Sequence, residues 1–211
     1  MITGRPRVAA IVLAAGASSR TAPAHKLLAP DATGLPMIAR TLRAVAASQA
    51  DPLIIAYGHR SADIHAAARR GIPPGRNPLF ISARNHEAGL SRTLAAGIQL
   101  AGQHDVRGAL ICLGDMPCIA PSLLDRMIAV FTAHPDCPGV MPVHDGRRGN
   151  PILWNRSLFP TLMDQKGDKG ARGLLDRYGA EMQQVEAGME ITEDFDTPAR
   201  LAAFARMFAG G

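Results

Sequence analysis

Five short, almost unbroken apolar runs recur along this chain, each separated from the next by a stretch of different rhythm. They are Val8 to Leu13, Leu53 to Tyr57, Leu79 to Ser82, Ala109 to Leu113 and Val140 to Val143. A strand covered on one face alternates apolar and polar residues; a strand covered on both does not. Continuous runs of this length therefore point to buried strands of a parallel sheet. Between them apolar residues recur at helical spacing: Ile38, Leu42 and Val45; Leu90, Leu94 and Ile98; Leu124, Met127, Ile128 and Phe131. Arg69-Arg70 reads as a helix end. Strand and helix alternating in this way predict a three-layer α/β fold, a mostly parallel sheet with right-handed crossovers.

The rhythm breaks after residue 144. "HDGRRGNPILW" reads as a basic, turn-rich loop leading into a short apolar strand. A helix from Ser157 to Met163, a Gly-rich turn "KGDKGARG" and a helix from Ala171 to Tyr178 follow. A strand at Met182 to Val185 and a helix from Pro198 to Phe208 close the chain, with proline suited to a first helical turn. The length fits a single domain over residues 1–211, with a first part to about residue 143 and a second over about 144–211.

Composition narrows the function classes. Apolar residues make up 47% and charged residues 19%, which suits a globular core and not a disordered chain. The formal charge of +5 is spread along the chain. No basic cluster with interleaved aromatics is visible, so no nucleic-acid surface is expected. Three cysteines without a Cys-x-x-Cys pair suit reduced thiols and a cytoplasmic location. The histidines show no zinc-binding spacing. Arg5 and Arg7 ahead of "VAAIVLAAGAS" imitate a secretion signal, but the apolar run is short and Ala-rich and nothing downstream looks extracellular. No run is long enough to cross a membrane.

In a sheet of this kind ligands bind beyond the carboxyl ends of the strands. That selects residues 14–26, 83–93, 114–118 and 144–151. The first strand ends at Leu13, and Ala14, Ala15 and Gly16 follow. Side chains this small let a ligand approach the backbone, whose N–H groups can cradle phosphate oxygens. Ser18 follows in the loop, then Arg20 with a planar fork and Lys26 with a flexible point charge, two ways to hold a polyphosphate. The plain alternative is a strand-to-helix linker with two solvated cations. The loop matches neither Gly-x-Gly-x-x-Gly nor Gly-x-x-x-x-Gly-Lys-Ser/Thr.

Asp115 directly follows a buried strand and Gly114, so its carboxylate should project at the ligand edge. One carboxylate there suits Mg²⁺, which takes one or two carboxylates together with phosphates and water. A turn residue capping the next helix is the structural alternative. Asp194 and Asp196 precede Thr197-Pro198, where helix capping is the default explanation and a second metal carboxylate the functional one.

Taken in order, Leu-Ala-Ala-Gly-x-Ser-x-Arg with Lys-Leu-Leu, Gly-Leu-Ser-x-Thr-Leu, Leu-Gly-Asp-Met-Pro, Arg-Gly-Asn-Pro, Gly-Asp-x-Gly-Ala-Arg and Asp-x-Asp-Thr-Pro resemble one family, from residue 11 to about residue 200. It is the molybdenum-cofactor nucleotidyltransferases, and "LAAG" and "HKLL" resemble the cytidylyl branch more than the guanylyl branch. The resemblance implies a Rossmann-like domain of the nucleotide-diphospho-sugar transferase type. It also implies transfer of CMP from CTP to the terminal phosphate of molybdopterin cofactor, with pyrophosphate released. By position, the backbone of Leu13 to Gly16 with Ser18 would hold the triphosphate, and Arg20 and Lys26 its charges. Gly89, Ser91 and Thr93 would line the base and ribose pocket. Asp115, with Asp196 as the weaker candidate, would hold Mg²⁺, and Asn150 and Asp168 would lie on the acceptor side. Molybdenum-hydroxylase maturation proteins would receive the product.

The chain departs from the family at three places. Thr21-Ala22-Pro23 stand where Met-Gly usually follows the arginine, Asn150 stands where histidine is common, and Arg92 interrupts a Ser-rich run. The alternatives are GMP transfer to molybdopterin, nucleotidyl transfer to a sugar or polyol phosphate, and a non-catalytic nucleotide sensor or cofactor chaperone. An NAD-dependent oxidoreductase is disfavoured by the missing glycine fingerprint.

Overall fold

Strand β1 (Val8–Ala14) is buried along its whole length and lies inside an eight-stranded sheet. A computed structural model describes residues 7–16, 25–58, 60–83, 90–165 and 172–209. β1 pairs in parallel with β2 (Leu53–Tyr57) on one side and β4 (Gly108–Leu113) on the other, and β3 (Leu79–Ser82) pairs in parallel with β2. The strand order is β3-β2-β1-β4-β7-β5-β6, with β8 joined to β5, where β5 is Gly139–His144, β6 Arg147–Arg148, β7 Ile152–Asn155 and β8 Gln183–Glu186.

The residues of β1 explain why its sequence does not alternate. Val8, Ala10, Val12 and Ala14 face the layer formed by α1 (Met37–Ala46), α2 (Ser61–Arg69) and α4 (Pro121–Ala133), packing with Ile38, Leu42, Ile64 and Met127. Ala9, Ile11 and Leu13 face α3 (Leu90–Gly102) and α5 (Phe159–Met163), among Leu94, Ile98 and Leu162. Both faces are dry, so every position must be apolar. Each fully buried aliphatic side chain is worth roughly 1.5–3 kcal/mol relative to exposure. α3 approaches β1 closely at Gly97, where a Cβ would stand 2.5 Å from Ile11 Cγ2.

The expected strands and helices are present with small shifts of boundary. The second part of the chain is where the structure adds most. β5 (Gly139–His144) is not the neighbour of β4. β7 (Ile152–Asn155), the short apolar strand expected after the basic loop, runs antiparallel between them. Arg147–Arg148, read from the sequence as loop, form the short strand β6 against β5. A 3-10 turn at Arg156–Leu158 precedes α5. α6 is Arg172–Tyr178, and β8 (Gln183–Glu186) pairs in parallel with β5. α7 is Pro198–Phe204, so the last helix stops short of Phe208.

This topology gathers the predicted ligand segments on one edge. Ala14 pairs with Tyr57, Tyr57 with Ser82, and Leu13 with Leu113, so the parallel strands end level. β4 and β5 both run antiparallel to β7 and are therefore parallel to each other, which brings His144 to the same edge. No helix among the described residues is long and apolar enough to cross a membrane.

Candidate active site

Gly114 begins the site. Its N–H donates to the Leu13 carbonyl at 2.9 Å. A Cβ there would meet Leu13 O and Ile38 Cδ1 at 3.0 Å and Leu27 Cδ1 at 3.4 Å. The residue is thus wedged between β1, α1 and the 3-10 turn Lys26–Leu28, and Asp115 emerges just past it. The capping alternative for Asp115 does not hold: Ala120 occupies the N-cap of α4, with Pro121 opening the helix.

Lys26 meets Asp115 from the other side. Leu27 anchors the 3-10 turn in the core, and the Lys26 side chain lies mostly out of solvent. Its Nζ donates to Asp115 Oδ2 at 2.5 Å and also to Asp196 Oδ1. Burial works against the ammonium charge, but the Asp115 carboxylate and then Asp196 outweigh it, and the lysine pKa is raised. One cation therefore joins two carboxylates drawn from distant parts of the chain.

Asp196 reaches this place because the C-terminal segment docks on α1. Phe195 and Phe204, ring centroids 5.7 Å apart, bury themselves with Met37. The Arg40 guanidinium lies over the Phe208 ring, 4.2 Å from its centroid. The N-cap of α7 is Thr197, whose hydroxyl accepts from the Arg200 N–H at 3.3 Å. Asp194 accepts from the Asp196 N–H at 2.6 Å. Helix capping, the default reading of this aspartate pair, falls to its neighbour Thr197, and the Asp196 carboxylate turns to Lys26.

The other predicted residues fall into four groups. Ala14 and Leu13 are locked into the sheet, Ala15 is buried, and Gly16 is exposed with open space where a Cβ would project. Ser91 and Thr93 sit in the first turn of α3, both buried, and the Thr93 hydroxyl has no hydrogen-bond partner among the described residues. Asn150 lies just ahead of β7, joined to Pro151 by a cis peptide bond, and its N–H donates to Ile191 O at 3.0 Å. Gly149 beside it is pressed against Ile191, where a Cβ would stand 2.4 Å from the carbonyl oxygen. Ser18, Arg20, Gly89 and Asp168 lie outside the described residues, as do Thr21-Ala22-Pro23. The sequence does not mark Thr41, whose hydroxyl reaches Gly114 O, or the aromatic pair Phe195–Phe204, because a helical threonine and two isolated phenylalanines carry no distinguishing signal.

The donor set suits a hard divalent cation. Asp115 and Asp196 converge on the Lys26 ammonium at the sheet edge and remain partly open to solvent, so a cation could join them there. Among the described residues no group of three or more potential ligands gathers. Such a site fits Mg²⁺, which takes one or two carboxylates and completes its shell with phosphate oxygens and water.

A family model for the MobA-like NTP transferase domain matches residues 10–184. The chain belongs to this family. As a MobA-like NTP transferase domain it is 26% identical over 201 residues to the purine catabolism protein PucB of Bacillus subtilis, covering 92% of this chain and 93% of that one. Its fold is similar to that of Rv0371c from Mycobacterium tuberculosis, with a TM-score of 0.76 and 22% identity over 96% of this chain and 98% of the other. A structure of Rv0371c in complex with manganese gives a TM-score of 0.71 at 23% identity, over 94% and 98% of the two chains. A nucleotidyl transferase from Methanothermobacter gives 0.76 at 21% identity, over 94% of this chain and 96% of that one.

Proposed function

We propose that this MobA-like domain is a Mg²⁺-dependent cytidylyltransferase that moves CMP from CTP to the terminal phosphate of molybdopterin cofactor. The observation that carries this reading is the Lys26 ammonium held between Asp115 and Asp196 on the sheet edge where β1 gives way to Gly16. The acceptor phosphate is an anion at neutral pH, so the reaction needs no general base. An acceptor oxygen attacks the α-phosphorus of CTP. The bond from that phosphorus to the bridging oxygen breaks, and its electron pair leaves with pyrophosphate.

The obstacle is electrostatic, an anionic nucleophile meeting a polyanionic donor with charge growing on the leaving group. Lys26, with Arg20, supplies fixed positive charge for the triphosphate, and the backbone beyond Leu13 supplies N–H donors. Mg²⁺, held by Asp115 and Asp196, would neutralise phosphate charge. The manganese complex of Rv0371c supports a divalent cation in this fold. Residues 1–143 would carry the nucleotide and residues 144–211, with Asn150 and Asp168, the acceptor, and maturation factors of molybdenum hydroxylases would take the product.

A second reading keeps the chemistry and changes the acceptor. The likeness to PucB supports it, because that protein is named for purine catabolism. Incubation of the protein with Mg²⁺, each nucleoside triphosphate in turn and molybdopterin cofactor, with products identified by mass, separates the readings. The cytosine dinucleotide is the expected product; a guanine dinucleotide, or no dinucleotide with pyrophosphate released on another acceptor, overturns the assignment.

A further inference from the structure

Thr41 sits on the buried face of α1 and is wholly inaccessible to solvent. A threonine inside a helix ordinarily returns its hydroxyl proton to the carbonyl four residues back. Here that carbonyl, Met37 O, is 3.3 Å away, whereas Gly114 O, on a strand end 73 residues further along the chain, is at 2.9 Å. The hydroxyl has one proton, and the shorter contact crosses from helix to sheet.

That contact falls on a particular peptide group. The carbonyl of Gly114 belongs to the same planar unit as the N–H of Asp115. On its other side Gly114 is pinned by its own N–H, which donates to Leu13 O at 2.9 Å. A strand holds one end of the residue and a helix side chain holds the other. The plane that launches Asp115 is then fixed, and with it the direction of the carboxylate toward Lys26. Glycine suits the close approach, where a Cβ would crowd Ile38 Cδ1 and Leu13 O at 3.0 Å, but glycine is also the residue least able to hold its own conformation. An external clamp resolves that conflict.

We propose that Thr41 is a positioning residue for Asp115: its hydroxyl fixes the Gly114–Asp115 peptide so that the carboxylate meets the metal-bound triphosphate. The inference rests on the nucleotidyltransferase reading and deepens it. Val is close in volume to Thr but donates nothing, so Thr41→Val leaves Gly114 O buried and unpaired and lets the peptide rotate. Thr41→Ser keeps the donor. Ser48, just beyond the same helix, is the control: its buried hydroxyl donates to Val45 O at 2.7 Å and, among the described residues, takes part in no contact with the site.

The experiment is calorimetric titration of CTP into the full chain, with and without Mg²⁺, for wild type, Thr41→Val, Thr41→Ser and Ser48→Ala, with melting temperatures alongside. Thr41→Val is expected to weaken Mg²⁺-dependent CTP binding roughly tenfold and to leave metal-free binding unchanged. Thr41→Ser is expected to restore wild-type affinity, and Ser48→Ala to lower the melting temperature without touching affinity. Wild-type affinity in Thr41→Val, or an equal loss in Ser48→Ala, overturns the inference. A wild-type chain that binds Mg²⁺·CTP but transfers nothing to molybdopterin sinks the acceptor assignment and leaves the role of Thr41 standing. Absence of metal-dependent nucleotide binding in the wild type overturns both.

Discussion

The ammonium of Lys26 lies 2.5 Å from a carboxylate oxygen of Asp115, across 89 residues of chain. The two residues come from loops after different strands, β1 and β4, which pair directly in the sheet. Adjacent parallel strands deliver their following loops to one edge, so a cation from one and an acid from the other meet there.

Removing the cation tests its role. Lys26→Ala is expected to lower turnover by at least ~10²-fold, the scale found for cationic and hydrogen-bond groups that stabilise developing charge. Single-turnover rates measured at saturating CTP, together with a circular dichroism spectrum showing an intact fold, check this. Turnover within a few-fold of wild type would remove Lys26 from the transition state.

The two carboxylates should differ from Lys26 in how their loss responds to metal. Asp115→Asn and Asp196→Asn are each expected to raise the Mg²⁺ concentration needed for half-maximal activity, Asp115→Asn by more. A metal titration with unchanged midpoints in both variants would place the cation elsewhere.

Gly16 offers a test of ligand approach without a cost to the free protein. A Cβ at this position meets nothing within 4 Å among the described residues, and its backbone is not in the left-handed region. Gly16→Ala should therefore leave the melting temperature unchanged while weakening nucleotide binding, because the methyl group would stand in the way of the phosphate oxygens proposed to approach the backbone here. Equal affinity for CTP in both proteins would show that the triphosphate lies away from this turn.

Gly149 should behave in the opposite way. A Cβ there collides with the Ile191 carbonyl at 2.4 Å. Gly149→Ala is expected to destabilise by about 1–3 kcal/mol, as overpacking does, and to displace Asn150. Urea denaturation would read the loss of stability, and an unaltered midpoint would contradict the packing described.

Asp31 sets an acid limit on stability. Its side chain is wholly buried, and burial opposes its charge. Hydrogen bonds from Thr33, Arg40 and Leu35 overcome that, and hold the pKa near 2, down from 3.8. A lowered carboxylate pKa stabilises the fold fully above the ordinary value and loses that contribution as pH falls through the folded one. Asp31→Asn should cost about 2 kcal/mol at neutral pH, and the difference from wild type should shrink between pH 3.8 and about 2. Urea midpoints across that range check the direction; a gap that widens on acidification would refute it.

The amino-acid sequence by itself determined the layers and the edge. Runs such as Val8 to Leu13 are apolar throughout because successive residues face α1 and α3 in turn, and that demand is local enough to read from a single segment. The carboxyl-end rule then marked Ala14 to Gly16, Lys26, Asp115 and Asn150 without any coordinates. Tertiary structure decided what depends on contacts between remote segments. β7 enters between β4 and β5 because strand pairing is chosen by the whole sheet and leaves no mark on a four-residue run. Arg147–Arg148 pair as a strand because β5 offers an open edge, although two arginines read as loop. Asp196 meets Lys26 because Phe195 and Phe204 find Met37, and Thr197, one residue on, takes the capping role. Thr41 reaches Gly114 for the same reason. Periodicity reports which face of an element is buried; only packing decides which partner fills it.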